Sequence, residues 1–147
     1  MVQRYKFKFE KILNLKEKEE EQAEDKYMLL KRKLQKIRER AEILEKKKQR
    51  IYTELREKAD KLDEILKLRQ YIKQLRKIQA ELEREEEAQE AEVEKQLQIL
   101  LDKKQERKTL EKLKENEEEE FIKEFLKKEQ KELDELSRNY SLGGSLI

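Results

Sequence analysis

One alternation constrains this chain more than any other feature: apolar residues recur in steps of three and four along an almost wholly charged background. From Leu13 the positions run through Lys16, Glu20, Ala23, Tyr27, Leu30, Leu34, Ile37, Ala41, Leu44, Lys48, Ile51 and Leu55, most of them apolar and all in one phase. Such steps line side chains along one narrow edge of an α-helix, the edge that a coiled coil buries. Nothing punctuates the pattern, because the chain has no proline and its 2 glycines are Gly143 and Gly144. All-β and doubly wound folds, which need turn residues between short elements, are excluded.

Composition matters at the question of disorder. Half of the 147 residues (50%) are charged and only 35% are hydrophobic. That is too little apolar surface for one globular core, and it suits a disordered polyampholyte equally well. The sustained phase decides for helix, and the intervening Glu, Lys and Gln are strong helix formers.

A second phase begins near Leu68 and reads Ile72, Leu75, Gln79, Leu82, Glu86, Gln89, Val93, Gln96, Leu100, Lys103, Arg107 and Leu110, with polar residues at many positions. A change of phase in mid-chain is produced by a reversal of direction, or by a stutter in one continuous helix. Asp60, with Asp63 and Glu64 following, is the one cap-like signal near the change, and it places a turn at about 57–66; a turn nearer 70–76 also fits. The expected fold is all-α: a long two-helix antiparallel coiled-coil hairpin over 1–137 with a disordered, flexible tail over 138–147. Doubling back sets Leu55 opposite Leu68, Ile51 opposite Ile72, Ala41 opposite Leu82, Leu30 opposite Val93, Ala23 opposite Leu100 and Leu13 opposite Leu110, with Glu20 meeting Lys103. Neighbouring heptad registers fit almost as well. An arm of about 50 residues would be about 80 Å long at about 1.5 Å per residue, a rod. Asn116 and the run Glu117 to Glu120 interrupt the seam, so the C-terminal helix is expected to extend past the hairpin from about 117.

The same composition narrows the chemistry. With no Cys and no His, the chain has neither thiolate nor imidazole, so no cofactor, metal site or catalytic residue is expected. Carboxylate clusters such as Glu85-Glu86-Glu87 read as solvated faces, since a two-stranded rod has no water-poor cavity to shift their proton affinity. A net charge of +2 is not the basic balance that phosphate backbones attract. No apolar run approaches the roughly 20 residues that span a bilayer, and residues 1–11 lack a signal-peptide stretch; a soluble intracellular protein is expected.

Two segments invite an interaction reading. Arg4-Tyr5-Lys6-Phe7-Lys8-Phe9 interleaves basic and aromatic residues, which can stack on bases, lie on a membrane, or seal the open end of the hairpin; the seal, with Phe7, Phe9, Ile12 and Leu13 against residues near Leu110 and Leu113, is favoured. Tyr52, Ala59 and Leu66 repeat every seven residues beside the first seam, while Tyr71 and Ile78 repeat beside the second. They form either a docking stripe or a widened seam. The basic run Lys46-Lys47-Lys48 is expected to be offset by Glu42 and Glu45.

The stretch Phe7-Lys8-Phe9-Glu10-Lys11-Ile12-Leu13-Asn14-Leu15-Lys16-Glu17-Lys18-Glu19-Glu20 resembles the opening of the FliJ family of bacterial flagellar export proteins, with spaced phenylalanines, an apolar pair and a helix start of mixed charge. YscO-type stalk proteins of virulence secretion systems are similar. The resemblance implies a two-helix stalk of the type III export apparatus at the cytoplasmic face of the membrane, similar in form to the shaft subunit of rotary ATP synthases. It also implies the partners: the export ATPase FliI with FliH, the export gate protein FlhA and export chaperones; no nucleic acid and no direct membrane insertion are expected from the charge balance and the short apolar runs. By that analogy Phe7, Phe9, Ile12, Phe121, Ile122 and Phe125 face the ATPase ring, and Tyr52, Tyr71, Leu75 and Ile78 face the gate. A hairpin is expected to be monomeric. The other reading is a generic structural or homo-oligomeric coiled coil, since an uninterrupted helix must pair with a second copy to bury its seam.

Overall fold

The computed structural model describes residues 4–57 and 60–144, and in them the chain forms two α-helices, α1 (Glu10–Glu57) and α2 (Leu62–Gly144), with no strand among the described residues. The backbone N–H of Glu10 donates to the carbonyl of Phe7 at 3.3 Å and that of Leu13 to Phe9 at 2.9 Å, so the helix takes shape directly behind the phenylalanines. Glu10 in the first turn and Arg56 in the last complement the helix dipole.

At the start of α2 the Ile65 N–H donates to the Lys61 carbonyl at 3.0 Å. Lys61 is therefore the N-cap, and Asp60, the expected cap, stands one residue before it. The positive helix end is met instead by Asp63 and Glu64 in the first turn. Lys58 and Ala59, within the expected turn, lie outside the described residues. Helix α2 continues through Gly144, into the stretch that composition set apart as a tail. Ser and Asn weaken a helix by only a fraction of a kcal/mol each, and no glycine or proline precedes Gly143 to stop it.

Contacts divide the chain into two units, Glu21–Asp102 and the pair of segments Met1–Glu20 with Lys103–Ile147. In paired helices each level touches only its neighbours. Within Glu21–Asp102 the helices run antiparallel: Arg38 bonds Glu86 and Glu90, Lys48 bonds Gln79, and Tyr52 bonds Arg76, so partner numbers fall as α1 advances. The core cluster is Leu44, Ile51, Ile72 and Leu75, with Tyr52, Leu55, Leu68 and Leu82 packed against it. Every seam position of the second phase from Leu68 to Leu100 is buried or half-buried, the polar ones included.

Those polar positions are satisfied across the seam. Gln96, only 5% exposed, sends its Nε2 to the Ala23 carbonyl at 3.2 Å, and Gln89 sends its own to the Leu30 carbonyl at 3.1 Å. Gln79 accepts from Lys48 Nζ at 3.0 Å and donates to Glu45 Oε2 at 3.1 Å. An unpaired buried amide would cost about 1–3 kcal/mol, so these bonds are what let glutamine occupy a seam at all.

In the second unit a series of ion pairs crosses between the helices. Lys16 bridges Glu106 at 3.0 Å, Lys103 bridges Glu19 at 3.2 Å, Lys114 bridges Glu10 at 3.0 Å, and Arg107 holds Glu20. Glu20 thus pairs with Arg107 rather than with Lys103 as the register predicts. The guanidinium presents Nε and Nη2 together to the two carboxylate oxygens, a fork that an ammonium lacks. Nor do Lys114 and Glu117 interrupt the seam: both are half-buried, as are Phe121 and Phe125. Beyond them the side chains of residues 126–141 are exposed without exception.

Leu75, 4% exposed, is embedded in the core cluster. Leu75→Ala is expected to destabilise the chain by about 2–4 kcal/mol in urea or thermal unfolding followed by circular dichroism, whereas Ile43→Ala, at an exposed position, changes stability by no more than about 0.5 kcal/mol.

Candidate functional site

The N-terminal segment before α1 is built from its aromatic residues. Phe7 is buried and meets Phe9 edge-on at 5.8 Å between ring centroids, while the Lys8 ammonium lies 5.6 Å from the Phe9 ring. Tyr5 crosses to α2, where its ring lies 5.6 Å from that of Phe121 in a tilted pair. Its hydroxyl is 3.4 Å from both the Lys114 carbonyl and Glu117 Oε2, either of which can accept its one proton. Leu13, in the first turn of α1, is buried as well. Of the expected seal, Phe7 and Leu13 are buried and Phe9 and Leu110 half-buried, whereas Ile12, Leu113 and the basic residues Arg4, Lys6 and Lys8 are exposed; it is Tyr5, which the heptad pattern does not single out, that makes the aromatic and hydroxyl contacts to α2.

Of the six residues assigned to the ring contact, Phe7 is interior and Phe9, Phe121 and Phe125 are half-buried. Ile12 and Ile122 remain exposed.

Within Glu21–Asp102 the second group also divides. Leu75 occupies a seam position and is core, so it cannot belong to an outer stripe. Tyr52 is half-buried on the core cluster and its hydroxyl accepts a bond from Arg76 Nη2 at 2.7 Å. Tyr71, 40% exposed, and Ile78 stay open, joined by exposed Leu66. Ala59 lies outside the described residues. The basic run nearby is offset as its spacing implies: Lys46 lies 3.7 Å from Glu42 and Lys48 lies 3.4 Å from Glu45.

The electrostatics follow from these pairs. A hydrogen bond from Lys103 holds the Glu19 carboxyl below its ordinary value of 4.5, and one from Gln49 does the same for Glu45. Bonds to carboxylates raise Lys16, through Glu106 first, Arg38, through Glu90 first, and Arg107, through Glu20 first. Lys114 is raised above 10.5 by its bond to Glu10, and Tyr5 above 10.0 by loss of water and then by the Glu117 charge. Among the described residues no carboxylate group is gathered to hold a metal ion, and no helix is long and apolar enough to cross a membrane.

Lys114 and Tyr5 both keep their protons more tightly in the folded chain. Their contribution to stability is present below the ordinary values of 10.5 and 10.0 and is lost as pH rises through the folded ones. Glu19 and Glu45 contribute above 4.5 and lose that contribution as pH falls through their depressed values. The thermal midpoint is expected to fall at both extremes. Tyr5→Phe should shrink the alkaline fall and remove a phenol that ionises above 10.0 in ultraviolet titration; an alkaline limb unchanged by this substitution would contradict the assignment.

A family model described as Flagellar FliJ protein matches residues 5–143, nearly the whole chain, and the chain belongs to that family. No curated protein and no solved structure matches it.

Proposed function

We propose that this FliJ-family chain is a non-enzymatic stalk and chaperone-escort component of the bacterial flagellar type III export apparatus, which promotes assembly and activity of the export ATPase ring and couples it to the export gate. The family match over residues 5–143 carries the reading, and it gives the coarse role directly: a component of flagellar protein export. The finer role draws on what helical packing offers. Each unit already buries its own seam, so what remains for partners is the outer surface of the helices.

In this reading Ile12 and Ile122, together with the half-buried Phe9, Phe121 and Phe125, meet the ATPase FliI, itself held by FliH. Apolar and aromatic side chains carried on or directly before regular helix suit a ring lining, because little backbone freedom is lost on docking. Tyr71 and Ile78 meet the gate protein FlhA, and exposed helix faces receive export chaperones. The chain works in the cytoplasm, peripheral to the inner face of the cell membrane, and needs no cofactor.

Adding the purified chain to the cognate export ATPase is expected to raise ATP hydrolysis and ring formation. Ile12→Ala combined with Ile122→Ala should raise the concentration needed by about tenfold, equivalent to about 1.4 kcal/mol. An ATPase indifferent to the chain would refute this arm. For the gate, Tyr71→Ala with Ile78→Ala should weaken binding to FlhA by about tenfold while the helical circular dichroism signal is kept. Loss of that signal instead would assign both residues to packing.

A further inference from the structure

The net charge of +2 hides two unlike stretches: residues 31–50 carry ten Lys or Arg against three Glu, whereas residues 115–135 carry four Lys against ten carboxylates. On α1 the excess is ordered. Lys26, Lys33, Arg40 and Lys47 recur every seven residues off the buried seam, and Leu29, Lys36, Ile43 and Arg50 form an adjoining row three positions on. All eight are exposed, Leu29 at 50% and Ile43 at 62%. Neighbouring cations find carboxylates: Arg38 holds Glu86 and Glu90, Lys46 meets Glu42, and Lys48 meets Glu45. The six cations of the two rows pair with no carboxylate among the described residues. Even Glu85, which with Gln89 lines one groove beside Lys33, Lys36 and Arg40, forms no ion pair with them.

We infer that the side of α1 from Lys26 to Arg50 adsorbs on an anionic lipid surface, with its cations at the phosphates and Leu29 and Ile43 among the headgroups. A convex helix side about 36 Å long, at about 1.5 Å per residue, meets a plane along its length and encloses nothing. Anionic bilayers draw basic helix faces of this kind, and their interfacial zone accepts apolar side chains. A nucleic acid would leave Leu29 and Ile43 in water, and it finds no aromatic ring in either row to stack on. A partner protein's acidic helix would meet apolar residues only at Leu29 and Ile43, four turns apart, too sparse for a seam. Adsorption crosses no bilayer, in keeping with the absence of a membrane-spanning helix among the described residues. The inference specifies what holds the chain at the membrane face proposed above, and vesicle binding can fail while the ATPase and gate measurements stand.

The test mixes the full-length chain with phosphatidylcholine vesicles, either pure or containing about one third phosphatidylglycerol. Binding is expected only to the anionic vesicles, and it should fall at least about tenfold between about 0.05 and about 0.3 M salt, as screened charges require. Lys36→Glu, Arg40→Glu and Lys47→Glu together should weaken it at least about tenfold with the helical circular dichroism signal kept. Lys123→Glu, Lys127→Glu and Lys128→Glu change the net charge equally and should leave binding within about twofold. Should the first set lose helix, Lys36→Gln with Lys47→Gln is read in its place, with a loss of at least about threefold expected. A fluorophore at Ile43→Cys, in a chain with no other cysteine, should shift to shorter wavelength on the anionic vesicles, and one at Tyr140→Cys should not. Equal binding to both vesicles, equal losses from the two triple sets, or an unshifted fluorophore at position 43 would each overturn the proposal. So would tighter binding to a DNA duplex or to polyglutamate at equal charge concentration, since the rows would then belong to another anion.

Discussion

A helix with half its residues charged has one narrow apolar edge, and every other property of this chain follows from where that edge is buried. Two such edges on one chain can meet only if the chain reverses, and antiparallel pairing between α1 and α2 meets that need. Burial is thin, with a single cluster of Leu44, Ile51, Ile72 and Leu75 as its densest part. Thin burial leaves little margin to choose among registers a heptad apart, since each presents nearly the same pattern of apolar residues.

Polar residues in the seam supply that choice. Gln96 reaches a backbone carbonyl because the residue opposite is Ala23, whose small side chain leaves room, and Gln79 is held between Lys48 and Glu45. Slipping the helices would strand these amides against apolar neighbours, a larger cost than the apolar contacts themselves distinguish. In the unit containing the N-terminal segment the same task falls to ion pairs, among them the fork of Arg107 on Glu20. Individually such pairs are weak at a surface. Arranged at successive levels with matched geometry, they specify alignment more than they add stability.

Family membership makes this chain a component of flagellar export, and packing leaves several of its apolar groups on the outside of the helices. The side chains left on the surface are not random leftovers. Ile12 and Ile122 are exposed in the unit that also holds the Tyr5–Phe121 and Phe7–Phe9 pairs, Tyr71 and Ile78 lie outside the main core cluster, and residues 126–141 are exposed. Each is an apolar group carried on regular helix, whose backbone needs no further ordering.

Much of this was legible in the order of residues. The steps of three and four from Leu13 to Leu55 and from Leu68 to Leu110 mark positions that are all buried or half-buried in the fold, and the family resemblance carried by Phe7 to Glu20 agrees with the match over 5–143. Periodicity is a local property of the helix, so sequence alone determined the helical state, the apolar edges and the family. What the pattern could not convey is which polar groups find each other across the seam: that Glu20 takes Arg107, that Lys114 and Glu117 remain in the pairing through Glu10 and Tyr5, that Leu75 is core and not stripe, and that Lys61 caps α2. Those outcomes depend on side-chain reach and on the facing residue at each level, and both exist only once two helices are laid side by side.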